Sequence, residues 1–503
     1  MSGKKSTNSL ACILLLLLIV AFHGINNYIV LKKDTVPLNG HESANYMNSL
    51  QIYRGSLQFD PFYPPLMVLA SQPLYRLFGT DYDTAVMTNM IFFAILIFST
   101  YGIGKMIQDE KTGLLAAFTV SMFPAIFGFS RIYLPDFALT AVTALSIFLL
   151  VKTENFQNRK YSILTGIAVG LGMLTKTTFL ILILSMFIIT LSRISLRKEK
   201  RKEAFLNILL AIFVAIIISS FWYFPQIKDG LIQALTNSAA YAEIKLNYFW
   251  VLKDSSLGKV YFTLFIFSLP VFILSKNKAK YEILSWIIIP FIFFSSIPTK
   301  TPRYILPLLP PIALIISFAS LKIASKVNKV SFFEKKINLT RFIILILLVF
   351  GITQTLFLSY SKFDQFSSMD SIERSENKGL IHAQHADWDL EWVYSMLNSS
   401  KNEPCGLNIV SVSLTPLSGT MLNYVTLNGL QVKFNTPIYC LKQDRIHCNP
   451  DEYPLIIKNA DYIIIESEDW DKNLYGLAAI GQDHKKNFEI FIKEFQKQKN
   501  DFK

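Results

Sequence analysis

Along the first 360 residues, long uncharged apolar stretches alternate with short polar and basic ones. The stretches fall near 10–31, 85–105, 113–130, 134–151, 161–175, 177–192, 204–224, 258–275, 281–297, 303–321 and 339–360. Most match the length of roughly 20 apolar residues that carries a helix across hydrocarbon. They predict eleven spans, with the fifth and sixth short enough to form a kinked hairpin or to tilt little.

After residue 360 the pattern changes. Charge rises, and 408-NIVSVSL-414, 424-YVTLNGLQVKF-434 and 461-DYIIIES-467 alternate or cluster as strands do, flanked by helix-like 387-DWDLEWVYSML-397 and 486-KNFEIFIKEFQKQ-498. The expected organisation is a membrane domain over 1–360 and a small α/β domain over 361–503. That second domain reads equally as a cap or as an acceptor contact.

The first polar interval, 32–84, is long enough to hold structure of its own. In 42-ESANYMNSLQIYR-54, Tyr46, Leu50 and Tyr53 recur at helical spacing until Gly55. This predicts a helix on the membrane surface with Glu42 in its first turn, where the helix dipole favours a carboxylate. A second helix is expected to start at 64-PP-65 and end at Gly79.

Composition agrees with the pattern: mean hydropathy is +0.37, with 41 Phe and only 17% charged residues, too apolar for a water-soluble chain. The basic clusters give an orientation. With Lys4 and Lys5 cytoplasmic, 152-KTENFQNRK-160, 193-RISLRKEKRKE-203, 276-KNKAK-280 and 322-KIASKVNKVSFFEKK-336 all face inward, as the positive-inside rule demands. The formal charge of +13 is then a record of topology and of contact with anionic membrane lipids, not a nucleic-acid footprint. The expected location is the cell (plasma or inner) membrane, multi-pass, with 361–503 extracytoplasmic. The first apolar run lacks a small-residue cleavage pattern and reads as a span.

Ionisable residues gather on the expected outer side. Glu42 follows span one; 130-SRIYLPDF-137 places Arg131 and Asp136 at the mouth of spans three and four; 170-GLGMLTKTTF-179 places Lys176; and 298-PTKTPRYILPLLPP-311 places Lys300 and Arg303. Each has a plainer reading. Glu42 serves as an N-terminal helix charge, Arg131, Lys176 and Arg303 as snorkelling anchors, and His41 as a solvated loop histidine. Charge at membrane depth is costly and tends to be functional, so the set outweighs its members.

The order of an acidic loop after span one, YPPL, R-x4-D, GL-x-LTK and K-x-PRYILPLLPP resembles the GT-C glycosyltransferases that use polyprenyl-phosphate sugars. Within them it resembles the protein O-mannosyltransferase and lipid A aminoarabinose transferase branch. The resemblance covers about residues 10–360 and implies a mainly α, polytopic GT-C-type bundle. It makes Glu42 the second member of an Asp-Glu pair implicated in acceptor activation, with His41 standing where the family has the aspartate. Asp136 falls at the second acidic position, and Tyr63 stands where some relatives have a basic residue that meets the carrier phosphate. Lys176, Arg303 and Tyr304 match positions lining the donor pocket. The implied partners are a polyprenyl-phosphate sugar donor and an acceptor hydroxyl on protein, lipid or glycan.

The residue types fit that chemistry on their own account. A carboxylate takes the acceptor proton, and cations hold the departing phosphate, Arg by bidentate contact and Lys as a point charge. The sequence offers no compact oxygen-ligand motif and no certain cofactor; a divalent cation is left open as a source of part of the positive charge. Two other classes stay open: a lipid or solute transporter with an outward charged vestibule, and a polymerase or ligase of lipid-linked glycans. Of the four cysteines, Cys12 reads as span packing, and a Cys440–Cys448 disulfide is expected, with Cys405 as competitor.

Overall fold

The computed structural model describes residues 4–33, 40–56, 59, 63–196, 201–226, 247–277, 279–297, 300–327 and 339–360. In the C-terminal part it describes 407–412, 432–435, 462–465, 493 and 497. The helices in chain order are α1 Lys4–Leu31, α2 Gly40–Tyr53, α3 Leu66–Phe78, α4 Tyr82–Met87, α5 Asn89–Ile107, α6 Glu110–Ser121, α7 Pro124–Phe129 and α8 Pro135–Lys152. They continue with α9 Arg159–Met173, α10 Phe179–Leu196, α11 Arg201–Gln226 and the single turn α12 Tyr248–Trp250, which runs into a π-helix, Val251–Ser256. Then come α13 Gly258–Ile273, α14 Lys280–Ser296, a 3₁₀ segment Pro302–Leu308, α15 Leu309–Val327 and α16 Leu339–Tyr360.

Among the described residues six helices are long and apolar enough to cross a membrane, and up to seven if the bent pair Tyr248–Ser256 and Gly258–Ile273 is one span. The other expected spans are shorter pieces. The stretch 113–130 is not one helix but α6 and α7, broken where Pro124 removes a backbone donor and Phe123 before it takes extended geometry. The stretches 161–175, 177–192 and 281–297 correspond to α9, α10 and α14.

Burial ranks the spans. The apolar window of Pro302–Lys326 is 89% buried, against 28% for the windows in α1, α11 and α16. The helix α15 is therefore the axis of the bundle, with Ile312, Leu314, Ile315 and Ile316 fully enclosed. The peripheral helices turn apolar side chains outward, as Phe205, Leu209, Phe213, Ile217 and Phe221 do on α11. An outer surface of this kind has hydrocarbon as its solvent, and in each described span an intrahelical ladder satisfies the backbone groups there. The chain is a multi-pass membrane protein.

The two helices expected between span one and span two are present as α2 and α3. Gly55 stands at φ +98° just past α2, a conformation that glycine adopts without a Cβ penalty, and Gly79 caps α3. In the C-terminal part β1 Leu407–Val412 pairs in parallel with β2 Val432–Asn435 and β3 Tyr462–Ile465, in the order β2-β1-β3. The three overlap the expected strand segments 408–414, 424–434 and 461–467. The helix expected over 387–397 and the cysteines Cys405, Cys440 and Cys448 lie outside the described residues, as does most of 486–498. Cys12 is buried on α1, its Sγ 4.0 Å from a Glu110 carboxylate oxygen.

Candidate functional site

Three local structures converge on Asp136. The first is the start of α8. Leu134 is extended, Pro135 fills the first helical position where no amide donor is needed, and Asp136 follows in the first turn, where the helix dipole favours its charge. The second is the tight turn from α9 into α10, which carries Lys176. Thr175 donates its hydroxyl to the Gly172 carbonyl at 2.6 Å, and the Phe179 amide donates to the Lys176 carbonyl at 3.0 Å. Gly172 admits this turn because a Cβ there would lie 2.3 Å from the Phe179 ring. The third is the 3₁₀ segment beginning at Pro302, which presents Arg303 and Tyr304.

Lys176 Nζ donates to Asp136 Oδ1 at 2.8 Å, and Arg303 Nε stands 3.9 Å from Asp136 Oδ2. The Lys176 ammonium also lies over the Tyr304 ring, 4.8 Å from its centroid. The side chains are enclosed: 3% exposed for Asp136 and 14% for each cation. Burial pulls the Lys176 ammonium below the ordinary lysine range, Asp136 pushes it back up, and Arg303 lowers it again. Within this triad the cations outnumber the carboxylate by one.

The Tyr63 segment is held beside the triad. The Leu66 amide donates to the Leu174 carbonyl at 2.8 Å, tying the entry to α3 to the turn that carries Lys176. Tyr63, directly before Pro64 and Pro65, is partly buried. Lys300 lies three residues before Arg303, also partly buried. His41 and Glu42 sit in the first turn of α2, and their side chains lie outside the described residues.

Arg131 takes a place the sequence did not suggest. Its Nε donates to Asn27 Oδ1 at 2.9 Å, one terminal nitrogen donates to Ser359 Oγ at 2.8 Å, and the guanidinium lies 5.1 Å from the Phe127 ring centroid. Asn26 extends the knot, donating to Ser359 Oγ at 3.2 Å and accepting from the Tyr360 hydroxyl at 2.6 Å. Asn27 donates to Ser130 Oγ at 2.8 Å, and Asn89 donates to the Ile132 carbonyl at 2.6 Å. The described bonds of Arg131 thus join α1, the turn before α8 and α16, where the sequence reading sets it with Glu42, Asp136, Lys176 and Arg303 on the outer side. Its burial pushes the guanidinium pKa down. The signal for this knot was the polar run 23-HGINN-27 inside an otherwise apolar span.

A second set of polar groups lies beneath the α2–α3 layer. Ser49 Oγ and the Tyr75 hydroxyl are 2.6 Å apart, and Tyr133 donates to Ser71 Oγ at 3.0 Å. Gln72 donates to the Ser49 carbonyl at 3.2 Å, and Tyr46 donates to the Thr80 carbonyl at 2.5 Å. Burial raises the pKa of Tyr46, Tyr75 and Tyr133, so all three hydroxyls remain protonated donors.

Residues 63–224 match the family model described as dolichyl-phosphate-mannose-protein mannosyltransferase. Among solved structures the chain is similar to ArnT from Cupriavidus metallidurans bound to undecaprenyl phosphate, with a TM-score of 0.65 and 12% identity over 91% of this chain and 94% of that one. It is also similar to the archaeal oligosaccharyltransferase AglB from Archaeoglobus fulgidus in complex with an inhibitory peptide and a dolichol-phosphate, with a TM-score of 0.56 and 12% identity over 91% of this chain and 70% of that one. The fold is the one these two solved structures share.

In sequence the chain resembles the lipid A aminoarabinose transferase and O-mannosyltransferase branch. The undecaprenyl phosphate-alpha-4-amino-4-deoxy-L-arabinose arabinosyl transferase of Yersinia pestis (strain Pestoides F) is 25% identical over 263 residues, 48% of this chain and 44% of the relative. That of Pectobacterium carotovorum subsp. carotovorum is 24% identical over 267 residues. The chain spans less than half the length of these curated relatives in the match.

Proposed function

We propose that this protein is an integral-membrane glycosyltransferase that moves a sugar from a polyprenyl-phosphate carrier to an acceptor hydroxyl on the outer face of the membrane. The observation that carries the reading is the buried Asp136–Lys176–Arg303 triad, which collects two cations and a carboxylate at one end of an apolar bundle. A lipid phosphate is suited to such a place: its isoprenoid tail lies against apolar spans while its head meets Lys176 and Arg303.

The reaction balances with these groups. A carboxylate accepts the acceptor hydroxyl proton, the acceptor oxygen bonds to the anomeric carbon, and the bond from that carbon to the phosphate oxygen breaks. The carrier phosphate leaves with the bonding pair, and Lys176 and Arg303 stabilise its charge where water is scarce. Asp136 orients Lys176; Glu42 or His41, in the first turn of α2, is assigned the acceptor proton. Tyr63, Lys300 and Tyr304 line the donor side, and Arg131 supports the floor from the neighbouring knot. A divalent cation remains open as an addition; among the described residues no group of three or more His, Cys, Asp or Glu is placed to hold one.

The domain organisation goes with this reading: a transferase domain over 1–360 and an extracytoplasmic α/β domain over 361–503, in the cell membrane with the N-terminus inside. Cysteine-accessibility labelling on intact cells tests the sidedness. A probe at residue 470 should label and one at residue 198 should not, and the reverse overturns the orientation. The activity is tested with purified protein in detergent, a panel of undecaprenyl-phosphate sugars including aminoarabinose and mannose, and envelope material from a deletion strain as acceptor. Release of undecaprenyl phosphate by wild type, lost in Asp136→Asn, is the expected result. Efficient transfer from a nucleotide sugar without lipid carrier overturns it.

A further inference from the structure

We propose that Tyr75 is a positioning residue of the transfer reaction, holding the first turn of α2 in register with Asp136 through a buried chain of hydroxyl groups. The inference rests on the proposed glycosyl transfer and adds a residue that touches neither donor nor acceptor.

The chain can be followed by counting protons. Each hydroxyl has one hydrogen to give. Ser49 gives its hydrogen to the Tyr46 carbonyl at 2.6 Å, so the 2.6 Å contact with Tyr75 is donated by Tyr75. Ser71 gives its hydrogen to the Val68 carbonyl at 2.8 Å, so Tyr133 donates to Ser71. Tyr75 and Tyr133 are fully buried and clustered with Tyr46, Leu50 and Met67. From one end, Tyr46 and Ser49 lie one and two turns beyond Glu42 on α2. From the other, Tyr133 lies three residues before Asp136, at the entry to α8. Both carboxylate-bearing segments are therefore fastened to the same stretch of α3, residues 67–75.

Apolar packing alone would hold α2 against α3 but would tolerate sliding. A set of hydroxyls in which every hydrogen is committed does not, because a shift of about 1 Å leaves buried donors unpaired. Ring contacts set the tilt as the hydroxyls set the distance: Tyr53 meets Tyr75 edge-on at 5.6 Å, and Tyr46 meets Tyr82 edge-on at 5.5 Å. The Tyr133 amide in turn donates to the Tyr82 hydroxyl at 3.4 Å, closing the loop from α2 through α4 back to the approach to Asp136. Transfer needs the proton acceptor and the phosphate-holding triad at a fixed separation, and misplacement on this scale costs on the order of a hundredfold in rate.

The test uses full-length protein in detergent, the undecaprenyl-phosphate sugar that wild type turns over, and the same envelope acceptor. Tyr75→Phe keeps the ring and removes the hydroxyl. It should lower kcat at least about tenfold with donor KM within about twofold of wild type. In a background carrying both His41→Ala and Glu42→Gln, Tyr75→Phe should slow the residual rate no further, because both candidate proton acceptors in the turn it positions are already gone. Ser49→Ala, which removes the other end of the same bond, should reproduce the kcat loss and covers the case in which Tyr75→Phe fails to fold. Wild-type kcat in Tyr75→Phe, or in Ser49→Ala when Tyr75→Phe does not fold, overturns the proposal. So does a loss that persists undiminished in the chain carrying both His41→Ala and Glu42→Gln. If Glu42→Gln and Asp136→Asn both keep wild-type turnover, or wild type turns over no lipid-linked sugar, it is the transferase reading that fails, and the positioning role goes with it.

Discussion

Asp136→Asn removes one charge from a site that holds three, and the structure sets what should follow. At an effective dielectric near 20, a unit charge pair at 2.8 Å is worth about 6 kcal/mol and one at 3.9 Å about 4 kcal/mol. Against this stands the cost of enclosing a carboxylate that is 3% exposed, several kcal/mol in its own right. Deleting one partner of a buried pair typically nets a loss of about 3 to 5 kcal/mol, because the partner left behind stays buried. Here the loss should sit near the lower figure, since Lys176 can relieve its burial by shedding a proton.

That escape gives a pH signature. Burial and Arg303 already depress the folded-state pKa of Lys176, with Asp136 opposing them. A lysine depressed in the folded state binds fewer protons there than in the unfolded chain across the window between the two values. Stability therefore rises with pH through that window, and falls as pH drops from the unfolded value toward the folded one, below which it levels off. Without Asp136 the folded value drops further and the window widens toward neutral pH. Thermal unfolding in detergent from pH 7 to 10 should show Asp136→Asn recovering stability as pH rises, by up to about 1.4 kcal/mol per pH unit for one proton, with a shallower rise in wild type. Adding Lys176→Met to Asp136→Asn should restore part of the stability and flatten the curve. Wild-type stability at pH 7 with a pH-independent Asp136→Asn would refute the assignment of these groups as a coupled, enclosed set.

Arg303→Ala should raise donor KM at least tenfold while acceptor dependence holds, read from initial rates over a donor titration; an unchanged donor KM makes Arg303 a mere anchor. Arg131→Met should lower the detergent unfolding midpoint, with a loss on the order of 3 kcal/mol, because Asn27 and Ser359 lose a buried partner, while donor KM stays near wild type. Gly172→Ala should cost about 1 to 3 kcal/mol by driving a methyl into the Phe179 ring, and Phe179→Leu in the same chain should recover part of it. Asp83→Ala should change stability by less than about 1 kcal/mol, since its Lys32 partner is half exposed and the pair is screened by solvent.

Much of the frame was legible before any coordinates. The α2 and α3 boundaries follow from Gly55, the Pro64-Pro65 pair and Gly79, because those residues act through local backbone geometry that a sequence carries intact. Asp136, Lys176 and Arg303 were legible as a set, since charge beside long apolar runs is rare enough to stand out. Their direct pairing was not, for it depends on how α8, the α9–α10 turn and the 3₁₀ segment meet in space. Arg131 shows the limit most plainly. Only four residues separate it from Asp136, yet the extended Leu134 and the helix start at Pro135 between them turn the chain, and its described partners lie 104 and 228 residues away on α1 and α16. The break at Pro124 was hidden by composition, because both halves of 113–130 are apolar and a hydropathy window does not register a single missing amide. The hydroxyl chain around Tyr75 was hidden for the opposite reason: Ser and Tyr scattered over α2, α3 and the approach to α8 look ordinary until the fold gathers them.

The Arg131 knot also bears on how the molecule is made. Asn26, Asn27 and Arg131 emerge from the ribosome early, but Ser359 and Tyr360 are the last residues of α16, the last membrane helix among the described residues, 333 residues or more beyond Asn26. Until that helix arrives, Asn26 lacks the Ser359 and Tyr360 hydroxyls and the Arg131 guanidinium lacks its Ser359 bond, in or beside hydrocarbon where an unmet polar group is expensive. Insertion of α16 therefore acts as the keystone of biogenesis. A nascent chain stalled before it lacks the Ser359 and Tyr360 hydroxyls and presents an open polar seam at Asn26, the kind of defect by which membrane quality control tells an unfinished bundle from a finished one.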